Sequence, residues 1–571
     1  MRRLAVDGVG SEPRGLARVV PAVGWLPRYE RRWLRRDVTA GIAVTALVVP
    51  KNLGYAGIAG VPVQNGLYAA AAGALIYALF CTSRHISTGP SSSLAAVAGG
   101  AVLATGVAGH DAAQLVAAIT LVTGALFVLV ALLRMGWIAQ FLSKAVVTGF
   151  LAGAAVDVVI GELPKLTGTS SSGDSAWREL ATWLRSLGNV HWLTVLVGVG
   201  SLALILSLRF LAPAVPGALV LVVAGLVVSL LFDLAAHGVA VVGHVPRGLP
   251  APQLPSAAVF QDHYATIGIA AFALLLIGFS QTAGDARAFA ARHHYRIDVN
   301  QESTAQGMAN LGAGLFQGMP VSTSLSASSL NESAGAMTPV ASLTTGLLVL
   351  ATLLVLAPLF SHLPKAVLGA VIIDAVVFGM IDLGELRRLH RVARFDFWVA
   401  IAAFLGVLSA GVLTGVVIGV VLSLLWLVYV ATRPGIPLLG REPGTHVFRD
   451  LVENPNDETF AGVAVLRLDG GLFFATSEAL EERVRGLVEG GSELDAVVLD
   501  LEGVNFIDSQ GAGKLREIHQ LADTNAVVLR LARVKPNVLE VLRADGFVDE
   551  IGADHIHGNV QRAVRAQLPN I

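Results

Sequence analysis

Thr88-Gly89-Pro90-Ser91-Ser92-Ser93 interrupts one apolar run of the sequence, and Pro320-Val321-Ser322-Thr323-Ser324-Leu325-Ser326 interrupts another. A proline removes a backbone donor and clashes with the preceding turn, so a regular helix does not run through either stretch. Each stretch predicts a new helix starting just after it, near Ser91 and near Ser324. The first N–H groups of a helix lack an intrahelical partner, and the helix dipole adds partial positive charge there. Two such ends facing each other inside a membrane form a site for an anion. Hydroxyls of Ser91, Ser92, Ser93, Thr323, Ser324 and Ser326 add donors without charge. The plainer reading of these residues is helix capping or close helix packing.

Outward from these breaks, the sequence repeats itself. Pro50-Lys51 lies in the apolar run before the first break, with Lys51 40 residues ahead of Ser91. Ser280-Gln281 lies in the run before the second, with Gln281 43 residues ahead of Ser324. Beyond the breaks come Leu142-Ser143-Lys144-Ala145-Val146 and Leu363-Pro364-Lys365-Ala366-Val367. Apolar segments fall near 38–60, 64–80, 93–108, 112–133, 138–160, 192–208, 215–234, 264–283, 339–359, 364–380, 396–410 and 412–431, with shorter ones near 303–316 and 321–331. The expected count is about 14 helices, close to what bilayer thickness permits for each. Landmarks seven segments apart invert the second half in the membrane. Inverted repeats with short, Gly/Pro/Ser-broken segments at matching places mark secondary transporters.

Composition agrees. The chain has 571 residues, 54% hydrophobic and 14% charged, against about 25% charged in soluble proteins. Fully soluble and disordered readings are excluded. The single cysteine, Cys81, excludes an internal disulfide and a cysteine-based zinc cluster. Neither a metal, a cofactor nor nucleic acid is an expected partner. Residues 1–36 carry nine arginines against three acids, with no apolar core placed as in a cleavable signal. Arg84, Arg134, Arg209, Arg287 to Arg296 and Arg387 to Arg394 fall in alternate loops. This positive-inside pattern puts both termini in the cytoplasm of a multi-pass plasma (inner) membrane protein.

Ionisable groups inside spans are costly and need a reason. Lys51 sits about 13 residues into the first segment. It is expected to face substrate, with an internal ion pair as the alternative. Gln281 and Asp285 are one turn apart and can share a helix face. Asp285 is a candidate partner of Lys51, a protonation site for coupling, or a cap at the cytoplasmic end. Asp157 and Asp374 read as packing or interfacial residues, and His293-His294 as surface residues of a basic loop. No nucleophile–base set appears, so an enzyme is not expected.

At Arg433-Pro434-Gly435 the composition changes, and residues 445–571 read as an ordinary globular domain. Strands are expected over Val463 to Leu468, Ala496 to Leu501 and Ala526 to Leu531. Helices are expected over Ser477 to Val488, 512–522, 536–545 and 559–567. This is a small α/β layer without a Walker or dinucleotide glycine pattern, suited to regulation or to docking a cytoplasmic protein.

A family resemblance rests on these residues. Asp37-Val38-Thr39-Ala40-Gly41 through Pro50, then Gly54-Tyr55-Ala56, Gly66-Leu67-Tyr68 and Thr82-Ser83-Arg84 before Gly89-Pro90, resemble the opening signature of the SulP anion transporters. Ala288-Phe289-Ala290, Asp298-Val299-Asn300-Gln301-Glu302, Gly307 and Asn310 resemble that family's connection between its eighth and ninth spans. Asp508-Ser509-Gln510-Gly511 lies in a tail that resembles a STAS domain. The resemblance implies a multi-span α-helical membrane protein. It has 14 helices in two inverted seven-span repeats (about 37–234 and 262–432) forming core and gate domains, within a transport domain at 37–432. It implies a homodimer and an anion held by Ser91 to Ser93 and Thr323 to Ser326, lined by Lys51 and Gln281. Sulfate is the implied substrate, with a co-transported proton or sodium ion. Bicarbonate or dicarboxylate symport, anion exchange, and a channel-like or regulatory membrane protein are alternatives.

This chain departs from the pattern in three places. Ala327 stands where the family commonly has arginine, Lys51 where glutamine is frequent, and Gln281 where an acid is frequent. Lys51 is therefore expected to supply the charge that Ala327 lacks. In anti-sigma antagonists, which STAS domains resemble, a serine placed like Ser509 accepts phosphate. The alternative is that Asp508 and Ser509 only cap a helix.

Overall fold

The computed structural model describes residues 19–135, 143–170, 175–213, 215–246, 248–249, 251–490 and 494–568. Residues 1–18 of the basic segment, residues 138–142 of the fifth apolar segment with its landmark Leu142, and the last three residues lie outside them. The chain divides into two units between Ser423 and Leu424.

Each apolar segment contains a helix, and the last of these helices runs past Ser423. They are α1 (Arg31–Ile58), α2 (Val63–Phe80), α3 (Ser92–Thr105), α4 (Gly109–Leu132), α5 (Lys144–Thr167), α6 (Trp192–Leu211) and α7 (Gly217–Leu231). They continue as α8 (Ala257–His293, kinked at His263), α9 (Val299–Leu315), α10 (Leu325–Ser333), α11 (Val340–Val355), α12 (Lys365–Met380), α13 (Arg394–Ala410) and α14 (Val412–Ala431). Among the described residues eight helices are long and apolar enough to cross a membrane: α1, α2, α4, α5, α6, α8, α12 with its continuation to Val392, and α14. Short amphipathic helices Ala176–Ser186 and Leu383–Val392 were not expected from hydropathy, because each is half polar.

Termini of these helices follow local chemistry. Ser143 caps α5 by accepting from Val146 N at 3.3 Å, and Asp298 caps α9 by accepting from Asn300 N and Gln301 N. Gly106 and Gly168 end α3 and α5 in the left-handed region, which glycine adopts without strain. Hydrocarbon gives apolar helices no reason to prefer each other over lipid, so close contact of small residues holds them together. A Cβ on Gly124 of α4 would lie 2.8 Å from the Gly307 carbonyl of α9, and one on Gly149 of α5 would lie 2.0 Å from the Ala400 carbonyl of α13.

The pairings have an internal order. α1 packs on α11 as α8 packs on α4, and α2 packs on α11 as α9 packs on α4. Likewise α3 meets α8 as α10 meets α1, and α5 meets α13 as α12 meets α6. One polar joint seals the α1–α11 contact. Asp37, fully buried, accepts from Met337 N at 2.7 Å, Thr338 N at 3.1 Å and Thr338 Oγ1 at 2.7 Å. The carboxylate thereby caps the approach to α11 from another helix.

In the second unit a parallel sheet runs in the order β5 (Val463–Arg467), β6 (Ala496–Asp500), β7 (Val528–Ala532), β8 (Ile556–His557). A hairpin of β3 (Leu439–Arg441) and β4 (Phe448–Asp450) precedes it. (The first two strands, in the other unit, are described with the site.) Side chains alternate across the sheet. Leu466, Val497 and Leu499 pack under α15 (Ser477–Val488), α16 (Ser509–Thr524) and α17 (Pro536–Ala544). Val465, Ala496 and Val498 pack under α19 (Val560–Gln567). Three strands and four helices match the expected positions to within three residues. The additions are β3, β4, β8 and the five-residue α18 (Phe547–Ile551), all too short to show periodicity.

Candidate anion site

The two sequence breaks meet. β1 (Thr88–Pro90) and β2 (Val321–Thr323) pair antiparallel, Thr88 opposite Thr323 and Pro90 opposite Val321. Helices α3 and α10 begin directly after them. Ser91 caps α3 by accepting from Leu94 N, and Ser324 caps α10 by accepting from Ala327 N, both at 3.4 Å. These two serines cap their helices, and the small sheet brings the two helix starts together.

α9 holds that sheet in place. Glu302, Gln306 and Asn310 lie four residues apart on one face of the helix. Asn310 Nδ2 donates to the Val321 carbonyl at 2.9 Å and its Oδ1 accepts from Val321 N at 3.0 Å. Gln306 Nε2 donates to the same carbonyl. Glu302, fully buried, accepts from Thr82 N at 2.7 Å, Thr82 Oγ1 at 2.5 Å, Ser83 N at 2.8 Å and the Tyr77 hydroxyl. It anchors the segment leading into β1. Sequence reading quoted Glu302 and Asn310 only as part of a motif; their spacing of eight residues on one helix was the available signal for a shared task.

α8 reaches both serine clusters. Gln281 Nε2 donates to Ser93 Oγ at 3.0 Å, and Ser93 and Ser91 hydroxyls are 3.1 Å apart. Gln281 Oε1 is buried without a partner. One turn on, Asp285 Oδ2 accepts from Thr323 Oγ1 at 2.8 Å. Ser324 and Ser326 hydroxyls are 3.3 Å apart, and Ser326 is exposed. Ser92 instead pairs with the Tyr55 hydroxyl of α1.

Lys51 lines a small cavity of about 20 Å³ with Thr88, Ser324, Ser326 and Ala327. Such a space holds about one water molecule. Among the described residues Lys51 has neither hydrogen bond nor ion pair. Asp285 is engaged with Thr323; two further charges inside the bundle are Asp374 of α12 and Arg209 of α6. Those two form a bidentate pair, Arg209 Nε and Nη2 each 2.7 Å from an Asp374 oxygen. The sequence places Arg209 in a loop and Asp374 among packing or interfacial residues. The structure puts Arg209 in the last turn of α6, with its guanidinium over Phe378 at 4.2 Å. A pairing 165 residues apart leaves no trace in one sequence.

Beyond the end of α2, buried His85 stacks on His293 with ring centroids 4.2 Å apart. His293, exposed as expected, also meets Glu332 of α10 at 2.5 Å. Burial, then the neighbouring His293, push the His85 imidazole down to about 4. An unfolded histidine titrates near 6.5, so between these values the unfolded chain binds a proton that the native chain does not. Stability therefore falls as pH drops through this window. His85→Phe, which keeps an aromatic ring in the stack, is expected to lose less of its melting midpoint than wild type between pH 7 and pH 5. An equal loss would remove His85 from the account.

In the second unit Asp508 is the cap of α16. Its Oδ1 accepts from Gly511 N at 2.7 Å and its Oδ2 from Phe474 N at 3.1 Å. Ser509 is exposed at the first helical position. Asp508→Ala is expected to cost about 1 kcal/mol of local stability. Hydrogen exchange at residues 509–513 of the full chain would read this as roughly a fivefold rise. Ser509→Ala should leave exchange unchanged.

This arrangement defines a class: a multi-span α-helical membrane protein with two broken helices meeting at a polar centre, joined to an α/β domain. Comparison with known proteins gives the family. Residues 34–403 match the sulfate permease family and residues 454–563 match the STAS domain. A protein named "Probable sulfate transporter" from Mycobacterium tuberculosis is 35% identical over 554 residues, 95% of this chain and 98% of that one. High affinity sulfate transporter 2 of Stylosanthes hamata is 29% identical over 97% of this chain and 87% of its own. The murine Solute Carrier 26 family member A9 anion transporter, solved in an inward-facing state, superposes with a TM-score of 0.87 at 22% identity, covering 99% of this chain and 97% of that one. The chain belongs to the sulfate permease family. It is a multi-span membrane protein of a family of small-anion transporters, which are not enzymes.

Proposed function

We propose that this protein carries a small oxyanion, sulfate as the first assignment, across the plasma membrane by alternating access, with a proton as coupling ion. The observation that carries the reading is the β1–β2 pairing. It sets two capped helix starts side by side, next to the unpartnered cation Lys51. Each start offers N–H dipoles and hydroxyls, a favourable setting for an anion partly stripped of water. Ser91, Ser93, Ser324 and Ser326 are the proposed hydroxyl donors, with Gln281 orienting Ser93 and Thr323 orienting Asp285. Ser92 contributes its backbone N–H, because its side chain is committed to Tyr55.

Helix packing supports the proposed architecture of two inverted seven-span repeats. Each contact named above between helices n and m recurs between their counterparts seven positions along the chain, as exchange of the two halves requires. The repeats, the domain limits at residues 37–432 and 445–571, cytoplasmic termini and a homodimer remain parts of this proposal. A 20 Å³ cavity is too small for an oxyanion, so binding requires the site to widen. Relative movement of two helix bundles provides that.

Inward movement of an anion opposes an interior-negative potential by about 2.3 kcal/mol per charge per 100 mV. Concentrative uptake therefore needs symported cations, and Asp285 beside the second serine cluster is the proposed proton carrier. The test is labelled sulfate uptake into proteoliposomes, with and without an inward proton gradient, against unlabelled bicarbonate, chloride and fumarate. Saturable uptake raised by the gradient is expected, and Asp285→Asn should abolish the stimulation while sparing exchange. An unchanged stimulation removes Asp285 from coupling. Flux of a competitor without sulfate uptake replaces the substrate.

A further inference from the structure

We propose that the groove between α6 and α7 holds one acyl chain of a membrane phospholipid, which completes the packing of these two helices against α12.

α6 is long and apolar enough to cross the membrane, and the rest of the chain leaves most of it uncovered. Beside it lies a groove of about 490 Å³, lined by Leu196, Gly200 and Leu204 of α6, Ala224 and Val228 of α7, and Val367 of α12. Ser201 and His237 carry the only polar side chains among the described residues lining it. Small residues shape it. A Cβ on Gly225 of α7 would lie 2.8 Å from Val367, whereas one on Gly200 would meet nothing within 4 Å. α7 thus touches α12 at this depth, while the surface of α6 at Gly200 faces open space. An empty apolar hollow forfeits the dispersion contacts its walls lack, and water finds too few polar partners there. Inside a bilayer the remaining occupant is hydrocarbon.

The dimensions fit one chain. The lining runs along α6 from Leu193 to Leu204, about 16 Å at the helical rise. This is about half of the ~30 Å hydrocarbon core, the depth of one leaflet. At one end the chain segments before α6 and after α7 meet, where a Cβ on Gly238 would lie 3.3 Å from His191. Exposed Trp192 and exposed His237 stand at that end, as amphipathic rings do at the level of the headgroups. The volume spread over this length leaves a cross-section of roughly 30 Å². A helix with its side chains is about 10–12 Å across, at least about 80 Å² in section. A helix of a second copy is therefore too wide to enter, and an extended acyl chain is not.

The experiment counts the phospholipid retained by the purified full chain, by native mass spectrometry from detergent. It also follows the melting midpoint as dioleoyl phosphatidylglycerol is added back. Gly200→Leu puts a side chain into the groove where nothing in the protein opposes it. Gly268→Leu adds the same side chain to an exposed position of α8, where a Cβ likewise meets nothing within 4 Å. Wild type and Gly268→Leu are expected to retain about one phospholipid per chain more than Gly200→Leu, and to melt higher as lipid is added, as a ligand of the folded state requires. Gly200→Leu should melt above wild type in lipid-free detergent and gain less than half of the wild-type rise. Val228→Phe fills the groove from α7 and should act in the same direction, so the result does not hang on one variant folding. Equal lipid counts and equal rises in all the proteins overturn the proposal. A changed oligomeric state in Gly200→Leu at an unchanged lipid count also overturns it, and gives the groove to a second copy.

Discussion

Lys51→Gln is expected to cut sulfate uptake between about tenfold and 150-fold, with the protein still folded and inserted. A hydrogen bond to a charged group in a partly buried site contributes about 1.5–3 kcal/mol, and each 1.4 kcal/mol is a factor of about ten. Removing one serine hydroxyl, as in Ser91→Ala or Ser326→Ala, should cost about fivefold by the same scale for a neutral bond. Stability should not fall. Among the described residues Lys51 makes no ion pair or hydrogen bond, and glutamine removes a half-buried charge that these contacts do not use. Lys51→Arg should retain part of the activity, since it keeps the charge but is bulkier than a 20 Å³ cavity welcomes. The assay is initial uptake of labelled sulfate into proteoliposomes of matched protein content. If Lys51→Gln transports at half the wild-type rate or better, the helix ends and hydroxyls suffice and Lys51 is a bystander.

What was legible in the sequence follows the range of the forces involved. Hydropathy is a local property, so every apolar segment was visible, as was the change of composition before the C-terminal domain. The breaks at Gly89-Pro90 and Pro320 were visible because proline acts on its own turn. Their meeting as a two-stranded sheet was foreshadowed only as two helix starts face to face; the strands are three residues each. Capping by Ser91 and Ser324 followed from residue type. The turn of Ser92 toward Tyr55 did not, since it depends on which way one hydroxyl among three points after α1 has packed.

Long-range polar pairs were the illegible part. Asp285 was weighed as a partner for Lys51 because both were charges in spans. The structure gives Asp285 to Thr323 and Asp374 to Arg209. Asp374 looked like packing because its own neighbours in sequence are apolar, and only α6 reveals the cation it holds. A charge in a span announces that a partner exists. Which partner is settled by helix packing, which a single sequence does not encode position by position. Asp37 illustrates the same limit: its three donors on Met337 and Thr338 lie 300 residues away or more.

The second large effect belongs to Glu302, where substitution by alanine and by glutamine should diverge sharply. Glu302 Oε1 accepts three bonds, from Thr82 N, Thr82 Oγ1 and Ser83 N, while Oε2 accepts the Tyr77 hydroxyl. Glu302→Ala leaves four donors without an acceptor, two of them buried and two on half-buried Thr82. Even at about 1 kcal/mol each the loss is about 4 kcal/mol, a large share of the 5–15 kcal/mol that holds a typical protein together. It also frees the lead into β1, so the two helix starts lose their common frame. Glu302→Gln keeps one carbonyl oxygen for the three Oε1 donors and turns its amide toward Tyr77, whose hydroxyl can rotate to accept. Glu302→Ala is therefore expected to yield little monodisperse protein, or a melting midpoint far below wild type. Glu302→Gln should melt close to wild type and retain most uptake. Size-exclusion melting curves in detergent read the first quantity, and proteoliposome uptake the second. Equal behaviour of the two variants would show that the negative charge of Glu302, rather than its acceptor oxygens, maintains this joint. Fully stable Glu302→Ala would show that β1 is held by its pairing with β2 alone.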